Sequence, residues 1–183
     1  MKVNSNNKQS GFTLVEVIVV LVLLGIVAAG LSGAIIYGAQ HFIFAREANQ
    51  LSQKAQLAMA RMKRELVDVK SIATANANTI QYTLATGGEY AIQLSGAAIN
   101  MQGINPVIAA QPLINGLAEA NGGQTFLTYR KADNSAWTTA DSINDLAQIQ
   151  AVIVLAMPGQ PNLTFQTTIN PRRTAIPSVP RLN

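Results

Sequence analysis

The chain has 183 residues, of which 49% are hydrophobic and only 12% charged, a balance that argues against disorder and against a purely soluble domain. It has no cysteine and a single histidine, which excludes thiol catalysis, thiolate zinc sites, disulfide frameworks and histidine metal clusters. The formal net charge of +4 is unevenly spread: residues 46–70 carry six basic and three acidic side chains, whereas 76–183 carry five of each.

In chain order, a short polar leader with Lys2 and Lys8 comes first, and Glu16 follows shortly after it. Between Glu16 and Arg46 lie 29 residues without a charge, and residues 17–31 are all apolar or glycine. As a helix rising about 1.5 Å per residue, the uncharged run reaches roughly 43 Å, longer than a bilayer core of about 30 Å. Such a run predicts a membrane segment, because a buried soluble helix rarely stays apolar on every face. A removed signal peptide, ending near Ala28-Ala29-Gly30, and an ordinary single-pass anchor are the competing readings. Both leave Glu16 unexplained, since a carboxylate inside a membrane segment is costly unless paired. Gly25, Ala29 and Gly33, with Gly30, Ala34 and Gly38 on an offset stripe, have the four-residue spacing of small residues that lets helices approach closely in lipid.

The segment Gly11-Phe12-Thr13-Leu14-Val15-Glu16, after a basic leader and before an apolar helix, resembles the prepilin motif of type IV pilins and type II secretion pseudopilins. The resemblance covers residues 1–40. It implies that a membrane-embedded prepilin peptidase cuts between Gly11 and Phe12 and methylates the new amino terminus on Phe12. It further implies that Glu16 pairs with the Phe12 ammonium of a neighbouring subunit, fixing register in the fibre, since a misregistered subunit leaves a buried charge unpaired. The implied partners are other pilin or pseudopilin subunits, an inner-membrane assembly platform and the lipid bilayer. The implied location is a single-pass inner-membrane protein with a periplasmic head, later part of a pilus or pseudopilus.

Next comes an amphipathic stretch. Phe44, Ala48, Leu51, Ala55, Ala58, Met62, Leu66 and Val69 fall at spacings of three and four, one apolar stripe on a helix. With no glycine or proline from 39 to 86, the helix is expected to run from about 12 to about 72. The cluster Arg61, Lys63 and Arg64 reads as a solvated helix face, with phosphate contact as the alternative.

Beyond residue 73, Thr79–Leu84 alternates at period two, and Tyr90, Ile92 and Leu94 resume it after Gly87-Gly88, predicting a β-hairpin. Residues 103–124 read as a long connection with room for one helical turn. Phe126–Tyr129, residues 149–157 and Leu163–Ile169 are further strand candidates, the second buried and central. The tail 170–183 holds Pro171, Pro177 and Pro180 and reads as irregular. The expected fold is α+β: a leader (1–11), a transmembrane stem (12–45), a stalk helix (46–72), and a head of four to five mostly antiparallel strands with its tail (73–183). The stalk's apolar stripe would pack on one face of the sheet.

No catalytic motif is present, and the chain reads as a non-enzyme. His41 lies just past the apolar run, as an interfacial residue would. Asp133, Asn134, Asp141, Asn144 and Asp145 share one polar loop that offers oxygen ligands for calcium, but their spacing matches no defined calcium loop, and no cofactor is expected. The neutral 76–183 region argues against nucleic-acid binding, although Arg172, Arg173 and Arg181 leave a local basic tail. Ala60–Leu66 and Thr167–Arg172 look like minor pseudopilins of the J type and the related W-type minor pilins, and Glu16 disfavours the K-type tip subunit, which lacks that carboxylate. The expected role is therefore a structural minor subunit; a filament-displayed binding module and a major pilin are the alternatives.

Overall fold

A computed structural model describes residues 11–172. One helix, α1 (Leu14–Val67), precedes eight strands: β1 (Val69–Ala75), β2 (Thr79–Leu84), β3 (Glu89–Ser95), β4 (Ala98–Asn105), β5 (Ile108–Asn115), β6 (Leu127–Arg130), β7 (Gln148–Leu155) and β8 (Leu163–Ile169). β1 to β5 form one sheet in sequence order and β6 to β8 a second, and every pairing is antiparallel. The fold is α+β, as expected. The chain divides into two units after Glu47, with α1 contributing to both.

In the first unit, α1 is apolar on every face. It is long and apolar enough to cross a bilayer.

In the second unit, α1 changes character. Ala55, Ala58, Met62 and Leu66 are buried, with Leu51 half-buried beside them, so the predicted stripe is the packed face. They share one core with Ile80, Tyr82, Ile92 and Ile99 of the first sheet and with Leu127, Ile149, Ile153 and Ile169 of the second. Alternation builds that core: β7 runs half-buried and buried by turns before ending in three buried residues, as a central strand should.

Three expectations need correction. The head holds eight strands in two sheets, not four to five, because β1, β5 and the end of β4 lie in stretches read as helix or connection. The helix does not reach residue 72. It ends at Val67, whose carbonyl accepts from Arg172 N–H at 2.8 Å, while Asp68 carbonyl accepts from Ala85 N–H at 3.3 Å. Val69, Ile72 and Thr74 are β-branched, and the pairing of Ile72 with Tyr82 on β2 draws them into a strand. Val69 is buried as expected, but from β1.

Residues 103–124 are mostly not a connection. They hold the end of β4, all of β5 and a short 3₁₀ turn at Glu119–Gly123. Pro112 is tolerated because β5 is an edge strand, where a missing N–H loses little. Gly103 has a steric reason: a Cβ there would lie 2.6 Å from the Pro106 carbonyl oxygen and 2.9 Å from Ile108 Cβ. The prolines and small residues that suggested a loop are thus what an edge hairpin needs. The tail expected to be irregular lies, beyond Arg172, outside the described residues, as does the leader before Gly11.

The turn at Glu119–Gly123 carries a buried polar group. Asn121 is fully buried in the left-handed region at φ 53°. Its side-chain amide donates to the Gln124 and Val152 carbonyls, both at 3.0 Å, and its Oδ1 accepts from Val154 N–H at 2.8 Å. Asn121→Ala removes the partner of one buried and two part-buried backbone groups. It should destabilise the fold by about 2–3 kcal/mol, read as an earlier thermal transition in the emission of the single tryptophan, Trp137.

Candidate assembly site

The expected site residues lie at the start of α1. Gly11, Phe12 and Thr13 precede the helix and are exposed, Phe12 at 83%. Thr13 closes the helix end: its Oγ1 accepts from Glu16 N–H at 3.3 Å, and its carbonyl accepts from Val17 N–H, also at 3.3 Å. Thr13 was missed in the sequence reading, although Thr-x-x-Glu before an apolar run is the signature of a helix cap. Glu16 therefore sits in the first turn, where unpaired backbone N–H groups favour a carboxylate. It forms no ion pair with any described residue of its own chain.

From Leu14 to Glu47 every side chain is exposed except at Gly33, which is intermediate. Val17 to Leu24, Ile26, Val27, Leu31, Ile35 and Ile36 thus form an apolar surface far beyond what a soluble monomer leaves uncovered. Gly25, Ala29 and Gly33 lie along one helix face. A Cβ built at Gly25, Gly30, Gly33 or Gly38 would meet nothing within 4 Å, so these glycines relieve no contact among the described residues. Ser32 Oγ donates to the Ala29 carbonyl at 2.8 Å and so disposes of its polar group within the helix.

The other candidate residues stand apart from this end of the chain. His41 is exposed. In the polar loop, Lys131 Nζ donates to Asp141 Oδ1 at 2.7 Å, and Thr138 N–H and Oγ1 donate to Asp141 Oδ2 at 2.9 and 3.0 Å. The Lys131 bond, chiefly, holds the Asp141 carboxyl below the usual carboxylate range. Asp133 takes both its bonds from Ser135, whose hydroxyl is the main cause of its own lowered value. These carboxylates are spent on shaping the loop. Among the described residues, no group of three or more acidic or histidine side chains is placed to hold a metal ion.

Residues 6–32 match the family model of the prokaryotic N-terminal methylation motif. The matched stretch contains Gly11, Phe12, Thr13, Glu16, Gly25 and Ala29 and ends at Ser32, short of the second unit. No curated protein matches the chain.

Proposed function

We propose that this type IV pilin- or pseudopilin-like chain, marked by its methylation motif, is a structural minor subunit of a pilus or secretion pseudopilus, processed by prepilin peptidase and assembled through α1. The observation that carries the reading is the coincidence of that motif with a helix whose apolar surface has no cover among the described residues. Lipid covers such a surface before assembly, and the stems of other subunits cover it afterwards. In this reading Gly11 and Phe12 flank the cut, Phe12 carries the methylated amine, and Glu16 meets that amine on a neighbouring subunit. Gly25, Ala29 and Gly33 offer the close-approach face. The head then stands on the periplasmic side, and the chain is not an enzyme.

The test is the amino terminus of the protein recovered from membranes. Mass spectrometry is expected to show a chain beginning at N-methylated Phe12. An intact Met1, or a terminus near Ala29, overturns the reading. Gly11→Ala should impair processing more than any substitution at 2–9, because the cut is made at its carbonyl.

A further inference from the structure

Both sheets end in open edges, β1 and β5 in one and β6 and β8 in the other. An open edge presents unpaired backbone N–H and C=O groups to any extended chain that approaches it. Two of these edges are guarded. β1 exposes Lys70, and the chain after β8 lies against its start through Arg172. β6 is four residues long, and its Leu127 N–H and Tyr129 carbonyl are bonded to Ala77 and Trp137. β8 exposes Thr164, Gln166 and Thr168. β5 carries no charge and its leading end is apolar; Pro112 and two register shifts interrupt its ladder, so the backbone open to pairing is the stretch before that proline. Val107, just before it, is 89% exposed and Ile108 46%, with Ala109 and Ala110 exposed beside them.

The helix supplies what this edge lacks. Lys54, Leu57 and Arg61 fall at i, i+3 and i+7 on one face of α1, where they line two hollows that meet at Pro112 and Leu113. One, of about 180 Å³, lies between Arg61, Tyr90, Met101, Ile108 and Gln111. The other, of about 260 Å³, lies between Lys54, Leu57, Pro112, Leu113 and Asn115. Both fall below the roughly 300–1,000 Å³ of small-molecule clefts and suit single side chains. Leu57 is 73% exposed beside the second. Each hollow has one cation at its rim. Lys54 has no ion pair among the described residues. Arg61, its side chain 52% exposed, stands 3.7 Å from Glu65, whose side chain is 15% exposed and which Arg64 also approaches at 3.8 Å.

We propose that β5 accepts an extended segment of another polypeptide as a sixth strand, one that alternates apolar and acidic side chains. Its backbone pairs with the open ladder ahead of Pro112, its apolar side chains enter the two hollows, and its carboxylates meet Lys54 and Arg61. Backbone pairing supplies affinity in such strand addition, and the hollows and charges supply selectivity. The cations make the partner acidic; a basic segment would meet the same backbone and be repelled. The proposal does not rest on the assembly reading, since the groove lies wholly within the second unit and needs neither the cut nor Glu16.

The experiment uses the full chain in neutral detergent micelles, with two labelled synthetic peptides as probes, one alternating valine and glutamate and one alternating valine and lysine. Fluorescence anisotropy should show the glutamate peptide binding at least about tenfold more tightly at low salt, an advantage that salt screens. The double variant Lys54→Glu with Arg61→Glu should reverse the preference, with unchanged Trp137 emission showing that the head is intact. Amide hydrogen exchange should slow at 107–111 when the glutamate peptide is bound. Equal binding of the two peptides, a preference that survives the double substitution, or unslowed exchange at 107–111 each overturns the proposal. So does exchange that slows there with protein concentration alone while neither peptide binds, which would assign the edge to a second copy of this chain.

Discussion

Glu16→Val is expected to yield a processed, membrane-retained protein with an intact head that is largely missing from filaments. Glu16 lies in the first turn of α1, in the unit that holds no residue of the core, so the head should melt as the parent does. Valine also enters lipid more easily than a carboxylate. Inside a filament, the Phe12 ammonium of the neighbour would lose its counter-charge, and an unpaired buried amine costs several kcal/mol. The measurement is the amount of each variant in sheared filaments relative to the membrane pool. Because Glu16 also follows the Thr13 cap, loss of a first-turn carboxylate is a competing cause, worth about 0.3–1 kcal/mol. Glu16→Gln separates the two. It keeps the side chain's length and hydrogen-bonding capacity but not its charge, so it should fail as valine does, whereas Glu16→Asp should be intermediate. Entry of Glu16→Val at the parent level would refute register pairing.

Met62→Asp should unfold the head. Met62 is fully buried on the face of α1 that joins the core of both sheets. An aspartate there either buries an unpaired charge or must be protonated, at a cost of several kcal/mol, set against a total stability of about 5–15 kcal/mol for a domain of this kind. Met62→Ala, which only leaves a void, should cost about 2–5 kcal/mol and still fold. Trp137 reports both: it is buried in the same core, and its indole Nε1 donates to the Ser142 carbonyl at 2.8 Å. A red-shifted emission at low temperature is expected for Met62→Asp and a lowered melting temperature for Met62→Ala. A native emission spectrum for the aspartate variant would mean that the stalk face is not essential to the head.

What could be read in advance depended on how local the cause was. Gly11, Phe12 and Glu16 stand together in six residues, and the apolar stem needs no partner to be recognised. The stripe through Ala55, Ala58, Met62 and Leu66 was legible for the same reason, since helical periodicity is written in neighbouring positions. Val69 was not, because a β-branched residue at the end of such a stripe also fits the first inward position of a strand, and only pairing with the distant β2 decides between them. β5 was hidden by Pro112 and its alanines, which mark a loop unless the strand is known to lie at an edge. Asn121 showed least of all. Its bonds reach Val152 and Val154, more than thirty positions away in the chain, and no spacing rule connects them. At the start of α1, the helix cap at Thr13 was overlooked.

The Thr13 cap has a further consequence, for the cost of being cut. A protease reads extended backbone, so a bond inside a helix must first be peeled loose, forfeiting roughly 0.5–1.5 kcal/mol for each hydrogen bond broken. Here the helix begins at Leu14, and the bond between Gly11 and Phe12 falls outside it. If the chain is processed there as proposed, the bond would be reached without unwinding any turn of α1, and the helix that Thr13 begins would be the same before and after the cut.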